Sequence, residues 1–175
     1  TSFQVFNSQI GSTGQIFPDS NTETADMGIF VRRGPTLYAP DFGAHGVSAT
    51  GNLGAYTPWT PVSISAVSGT GTPASPFTVT VVADAGATGL RLTMTVTYVD
   101  GDTFFRKSLV FSSAATQTFD AFLGADLYLA NSDLGVPYTT SGAVGGEDCT
   151  SEATYTILLI PLTAADRFSA GFYDT

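Results

Sequence analysis

One histidine, one cysteine and one lysine are the only residues of their types in this chain of 175 residues. Nucleophilic chemistry can therefore be weighed residue by residue. His45 lies in Phe42-Gly-Ala-His-Gly46 and could act as the base of a Ser-His-Asp arrangement, whose members meet in space rather than in sequence. The nucleophile signature is missing: Gly46-Val-Ser48-Ala-Thr50 lacks the second glycine of a G-x-S-x-G elbow. His45 is read as a loop or structural histidine. Cys149 has no second cysteine to bridge to within the chain; a reactive thiol and half of an intermolecular bridge are the alternatives to the favoured reading, a small buried or half-buried residue. One Cys and one His do not supply a structural zinc site.

Carboxylates and rings come next. Fifteen acidic residues allow many pairs, and a glycosidase needs two across a cleft, about 5–10 Å apart. Spacing alone selects no pair, and the densest group, Glu147-Asp148-x-x-x-Glu152, reads as a solvated loop. Asp19-x-Asn21-x-Glu23, with Asp26 three residues on, alternates oxygen ligands of the kind Ca²⁺ takes. The EF-hand pattern fails there, because Thr24 stands at its sixth position and Phe30 at its twelfth. Asx turns account for the same residues without a metal. Asp126 and Asp133 flank a weaker loop of this kind. No cofactor is expected, and Ca²⁺ is the one ion these residues could take. Tyr56-Thr-Pro-Trp59, with Tyr38 nearby, gathers rings whose flat faces could stack on sugars. The competing reading puts Trp59 at one end of the core.

These side chains need a scaffold, and Leu90 to Phe111 supplies its clearest part. Asp100-Gly101 is a two-residue turn signal between alternating strands. A turn centred there pairs Val96 with Phe105, Met94 with Lys107, Leu92 with Leu109 and Leu90 with Phe111. That face is apolar except for Lys107, the sole lysine. Three readings compete for it. Lys107 is an inward charge near a sheet edge, the partner of a buried acid such as Asp126, or one end of a Lys–Asn or Lys–Asp isopeptide bond.

Composition narrows the class. Charged residues make up 12%, about half the usual ~25%, and Thr, Ser, Gly and Ala replace them. Such a mixture favours strands and turns over surface helices, and nineteen glycines with nine prolines interrupt any helical bundle. The net charge of −9 with six basic residues argues against nucleic acid and anionic membrane surfaces. The apolar block Ile157–Leu162 is too short to span a bilayer. A start at Thr1 and a lysine-poor, Thr/Ser/Gly-rich composition suit an exported, mature extracellular chain.

Strands are expected over Phe3–Phe6, Met27–Arg33, Leu37–Ala39, Ser63–Val67, Phe77–Asp84, the hairpin, Gln117–Phe122, Asp126–Ala130 and Ala153–Leu162. Asn131–Thr150 reads as loop, and Thr163-Ala-Ala-Asp166 as the start of a short helical turn. Without βαβ alternation, this predicts one all-β domain over residues 1–175, an antiparallel β-sandwich of jelly-roll or supersandwich type with few or no helices.

Four strings carry a resemblance: Thr36-Leu-Tyr-Ala-Pro-Asp-Phe-Gly-Ala-His45, Leu53-Gly-Ala-Tyr-Thr-Pro-Trp-Thr-Pro-Val62, Ala87-Thr-Gly-Leu-Arg-Leu92 and Leu123-Gly-Ala-Asp-Leu-Tyr128. Together they resemble a recurrent β-sandwich module of secreted and surface-attached bacterial proteins. The resemblance implies a fold and an extracellular setting, and no catalytic residue. Modules of this kind usually continue past Phe172-Tyr173, with further strands of the final sheet. An edge left open by the stop at Thr175 could take a strand from another copy, with Phe3, Val5 and Phe6 as donor.

The sequence thus points first to an extracellular, non-enzymatic surface module that self-associates as a homo-oligomer or filament through strand edges. The alternative is a carbohydrate-binding adhesin domain using Tyr38, Tyr56 and Trp59. The third reading is a glycoside hydrolase.

Overall fold

A computed structural model describes residues 27–41, 55–125, 127, 135–148, 155–163 and 167–171, with the backbone of 5–6 and 15–17. The protein is all-β and sandwich-like, and no helix occurs among the described residues. The chain divides into two compact units: Thr1 with Ile29–Asp41 and Leu53–Phe122, and Ser2–Gly28 with Phe42–Asn52 and Leu123–Thr175.

The first unit is built on two four-stranded sheets. Met27–Arg33 (β3) and Thr36–Ala39 (β4) form an antiparallel hairpin turned at Gly34-Pro35, where Gly34 takes φ +58°. Thr57–Pro58 (β5) joins β4 in parallel. Asp120–Ala125 (β10) lies on the other side of β3, giving the order β10-β3-β4-β5. The second sheet, in the order β6-β7-β8-β9, is an antiparallel meander of Thr60–Ile64 (β6), Phe77–Asp84 (β7), Leu90–Tyr98 (β8) and Arg106–Ser113 (β9).

Alternation decides what each strand buries. Ala83 on β7 and Leu90, Leu92 and Met94 on β8 point to one side, and Ile29 and Val31 of β3 and Tyr38 of β4 meet them with Ala85 and Trp59 in one buried cluster. Phe111 of β9 packs its ring against Phe119 at 5.1 Å between centroids, at the margin of that cluster. The opposite side of β7, β8 and β9 carries Thr78, Thr80, Thr93, Thr95, Thr97 and Ser108 across the ladder. This is the in-and-out alternation of a sheet with one face on the core.

The hairpin corrects the expected register. The turn forms, since the Asp102 N–H donates to the Val99 carbonyl at 3.1 Å. The ladder, however, pairs Thr97 with Arg106, Val96 with Lys107, Met94 with Leu109 and Leu92 with Phe111. Each residue of β9 is displaced by two from the expected partner. A slip of two leaves every side chain on its own face, so the apolar face survives while each residue's opposite number changes. The slack lies in Thr103–Phe105, between the turn and β9. The turn is held from outside the hairpin, by the Asp100 N–H donating to the Gly71 carbonyl at 2.8 Å.

The second unit contains Val5–Phe6 (β1) paired with Gln15–Phe17 (β2). It also contains a three-stranded antiparallel sheet of Val136–Thr140 (β11), Ala143–Asp148 (β12) and Tyr155–Leu159 (β13). The loop expected over Asn131–Thr150 is therefore a hairpin over much of its length, turned at Ser141-Gly142, with Gly142 at φ +101°. Its glycines serve strand packing as well as turning. A Cβ at Gly145 would run into the Ile157 carbonyl of β13, so only glycine lets these strands approach. Of the helical turn expected to open at Thr163 and end near Gly171, residues 164–166 lie outside the described residues, and no helix forms at Thr163 or over 167–171; most of Asp126–Ala130 also lies outside them.

Candidate functional site

The feature most open to a partner is β6. Its five residues are all exposed, with Val62 at 47% and Ile64 at 73% of full exposure. Pro61 explains its place at the margin, because a residue without an N–H is tolerated on an edge strand. The register shifts between Pro61 and Ser63. Beyond Ile64 the chain still follows β7: the Ser65 N–H donates to the Thr80 carbonyl at 2.9 Å, and Ser68 and Thr78 exchange bonds of 3.0 and 2.8 Å. The Ser65 hydroxyl accepts from the Thr80 N–H at 2.9 Å. With Ser65 directed at β7, alternation turns the N–H and C=O of Ile64 away from the sheet. Val67 is 66% exposed, so a short apolar row accompanies this outward-facing backbone.

The opposite edge of the same sheet, β9, is closed by charge. Lys107 lies opposite Val96 on the side that carries Leu109 and Phe111, and is half-buried. Its Nζ sits 5.7 Å from the centre of the Phe105 ring, and burial lowers its pKa from 10.5 to about 7. The Arg106 guanidinium lies 4.9 Å from the centre of the Phe104 ring. An inward-pointing charge on an edge strand is a known obstacle to further pairing, and this is the first of the three readings given for Lys107. Asp126, the acid named as its partner, lies outside the described residues.

The aromatic candidates separate. Tyr38 and Trp59 are 8% and 5% exposed, with ring centres 6.1 Å apart in the core cluster. The Trp59 indole N–H donates to the Ile29 carbonyl at 2.8 Å, which satisfies its one polar atom where it is buried. Neither ring has a face left for a sugar, which corrects the platform reading for both. Tyr56 is half-exposed and lines a shallow hollow of about 220 Å³ with Pro35, Thr36, Leu37, Ala55 and Thr57.

Among the described residues the acidic candidates give no constellation. Glu147 and Asp148, read as a solvated loop, belong to β12, where they pair with Thr156 and Tyr155 of β13. Asp84 binds Arg91 through both oxygens, at 2.7 and 2.8 Å. The hydrogen bond from Arg91 holds the Asp84 carboxyl below its usual range. Asp120 accepts from Arg32 at 2.9 Å. Among the described residues no group of three or more His, Cys, Asp or Glu side chains could hold a metal, and no helix is long and apolar enough to cross a membrane. The Ca²⁺ candidates Asp19, Asn21, Glu23 and Asp26 lie outside the described residues, as do Phe3, His45, Asp133, Cys149 and Glu152. Val5 and Phe6, named as a donor strand, are β1 and pair with β2 of their own chain.

Compared with known proteins, the chain matches no family model, no curated protein and no solved structure. The β6 edge was missed in the sequence because Ser63–Val67 alternates only weakly and Pro61 reads as an end rather than a strand residue. The available signal was Pro-Val-Ser-Ile beside a strongly β-forming partner, Phe77–Asp84.

Proposed function

We propose that the chain is an extracellular, non-enzymatic structural module that works by associating with copies of itself at a cell surface. The observation that carries this reading is the β6 edge, exposed along its whole length and bearing Val62 and Ile64 beside outward-facing backbone groups. A strand edge of this kind takes another strand by main-chain hydrogen bonding. The work calls for no cofactor. Donor-strand exchange by Val5 and Phe6 would first have to break β1 from β2, whereas β6 needs no rearrangement, so the contact is placed there. The test is mass against concentration, by sedimentation and by electron microscopy. Species heavier than 18.1 kDa should grow with concentration, and a monomer at every concentration would overturn the reading.

A second reading keeps carbohydrate binding and is favoured by the hollow beside Tyr56. A glycan array on wild type and Tyr56→Ala tests it: binding lost in the variant supports it, and no binding by wild type removes it.

A further inference from the structure

The two edges of the β6-β7-β8-β9 sheet differ in a way that specifies a partner. We infer that β6 pairs antiparallel with β6 of a second copy about a two-fold axis, giving a closed dimer with a continuous eight-stranded sheet. The inference rests on the self-association reading and narrows it to one surface and one stoichiometry.

The argument is one of charge. The chain carries −9, so two copies repel. Yet no Asp, Glu, Lys or Arg lies between Asp41 and Asp84, a run that contains all of β5 and β6, the turn after β6, and β7 up to Ala83. Here two like-charged copies can meet without placing charge against charge. The other edge cannot reciprocate. On β9 the inward-pointing Lys107 obstructs a further strand, in a β9–β9 and in a β6–β9 contact alike. With one edge open and one closed, growth through this sheet stops at two, and a two-fold contact is necessarily self-complementary.

The backbone supports the same partner. From Val62 to Ser68 the edge is free of proline. Ile64 turns both its N–H and its C=O outward, while the register shift at Pro61–Ser63 and the Ser65 hydroxyl donating to the Ala66 carbonyl at 2.9 Å interrupt the alternation on either side of it. A two-fold axis through Ile64 sets Ile64 against its own counterpart, where the two residues can exchange both backbone bonds. One strand pair covers less than the ~1,200–2,000 Å² of stable interfaces, so the dimer is reversible.

The experiment is sedimentation of the full chain over a wide concentration range, with wild type, Ile64→Lys and Val110→Lys. Val110 is 55% exposed on the outer side of β9 and serves as the control. The wild type should reach a dimer and no further. Ile64→Lys should raise the dissociation constant about tenfold or more, Val110→Lys should leave it unchanged, and added salt should strengthen the wild-type dimer by screening repulsion. Ile64→Cys in a Cys149→Ser background gives a second readout that does not depend on a lysine being tolerated. The ~5.5 Å Cα separation of a hydrogen-bonded pair fits a disulfide, so mild oxidation should yield a covalent dimer. Val110→Cys in the same background should not. A wild type that stays monomeric would overturn both this inference and the self-association reading. A wild type that associates equally well as Ile64→Lys, or an Ile64→Cys that does not cross-link, would overturn the β6 pairing alone.

Discussion

Lys107 sets a pH dependence of stability that can be worked out in advance. Burial lowers its pKa from 10.5 to about 7. Between those values the unfolded chain holds a proton that the folded chain has released, so the unfolded state binds more protons and stability rises with pH. Below about pH 7 both states are charged, and the folded state bears the full cost of desolvating the ammonium. Above about pH 10.5 both are neutral and the cost is gone. The drop from 10.5 to about 7, at about 1.36 kcal/mol per pH unit, sets a ceiling near 5 kcal/mol. Lys107 is only half-buried, and solvent screening brings the expected effect to about 2–3 kcal/mol. Lys107→Met keeps the length and apolar stem while removing the titration. Urea unfolding of both proteins between about pH 6 and pH 10 isolates the residue, because other titrating groups cancel in the difference. Wild type should gain about 2–3 kcal/mol on the variant across that range. A difference that stays constant from pH 6 to pH 10 would refute the argument.

Packing elsewhere in the molecule sets further expectations. Trp59→Ala should cost about 3–5 kcal/mol by leaving a cavity in the core cluster, read as a lower urea midpoint with unchanged slope. Gly145→Ala should destabilise the β11–β13 sheet, because the new methyl meets the Ile157 carbonyl, and hydrogen exchange should rise at the amides of β12 and β13. The intact mass should equal that of the unmodified sequence; loss of ammonia or water would mean that Lys107 is held in an amide bond and does not titrate.

The core could be read from the sequence because it depends on parity. Leu90, Leu92 and Met94 alternate with Arg91, Thr93 and Thr95, and any register that differs by an even number buries the same set. Opposite numbers depend instead on the distance from turn to ladder. Asp100-Gly101 signals a turn, but nothing local reveals that Thr103–Phe105 will be taken up before pairing resumes, or that Gly71, far away in sequence, will hold the Asp100 N–H. The three-stranded sheet of the second unit was hidden for a different reason. Gly145 and Gly146 look like loop residues until Ile157 is brought against them.

The same distinction governs the candidate site. Ring chemistry was visible in Tyr38, Tyr56 and Trp59, but a ring's use depends on which face water can reach. Packing Trp59 under Ile29 and Val31 spends two of the three rings on stability. What remains for a partner is backbone, and backbone carries no residue signature. An edge strand becomes recognisable only when its neighbours are known: β6 has β7 on one side and exposed groups on the other. Its sequence contribution is negative, the lack of any Asp, Glu, Lys or Arg between Asp41 and Asp84 in a chain of net charge −9. Soluble proteins guard open edges with charge, as Arg106 and Lys107 guard β9 here. A chain that guards one edge and leaves the other neutral and apolar can admit a strand at that edge without opening both sides of its sheet to uncontrolled pairing.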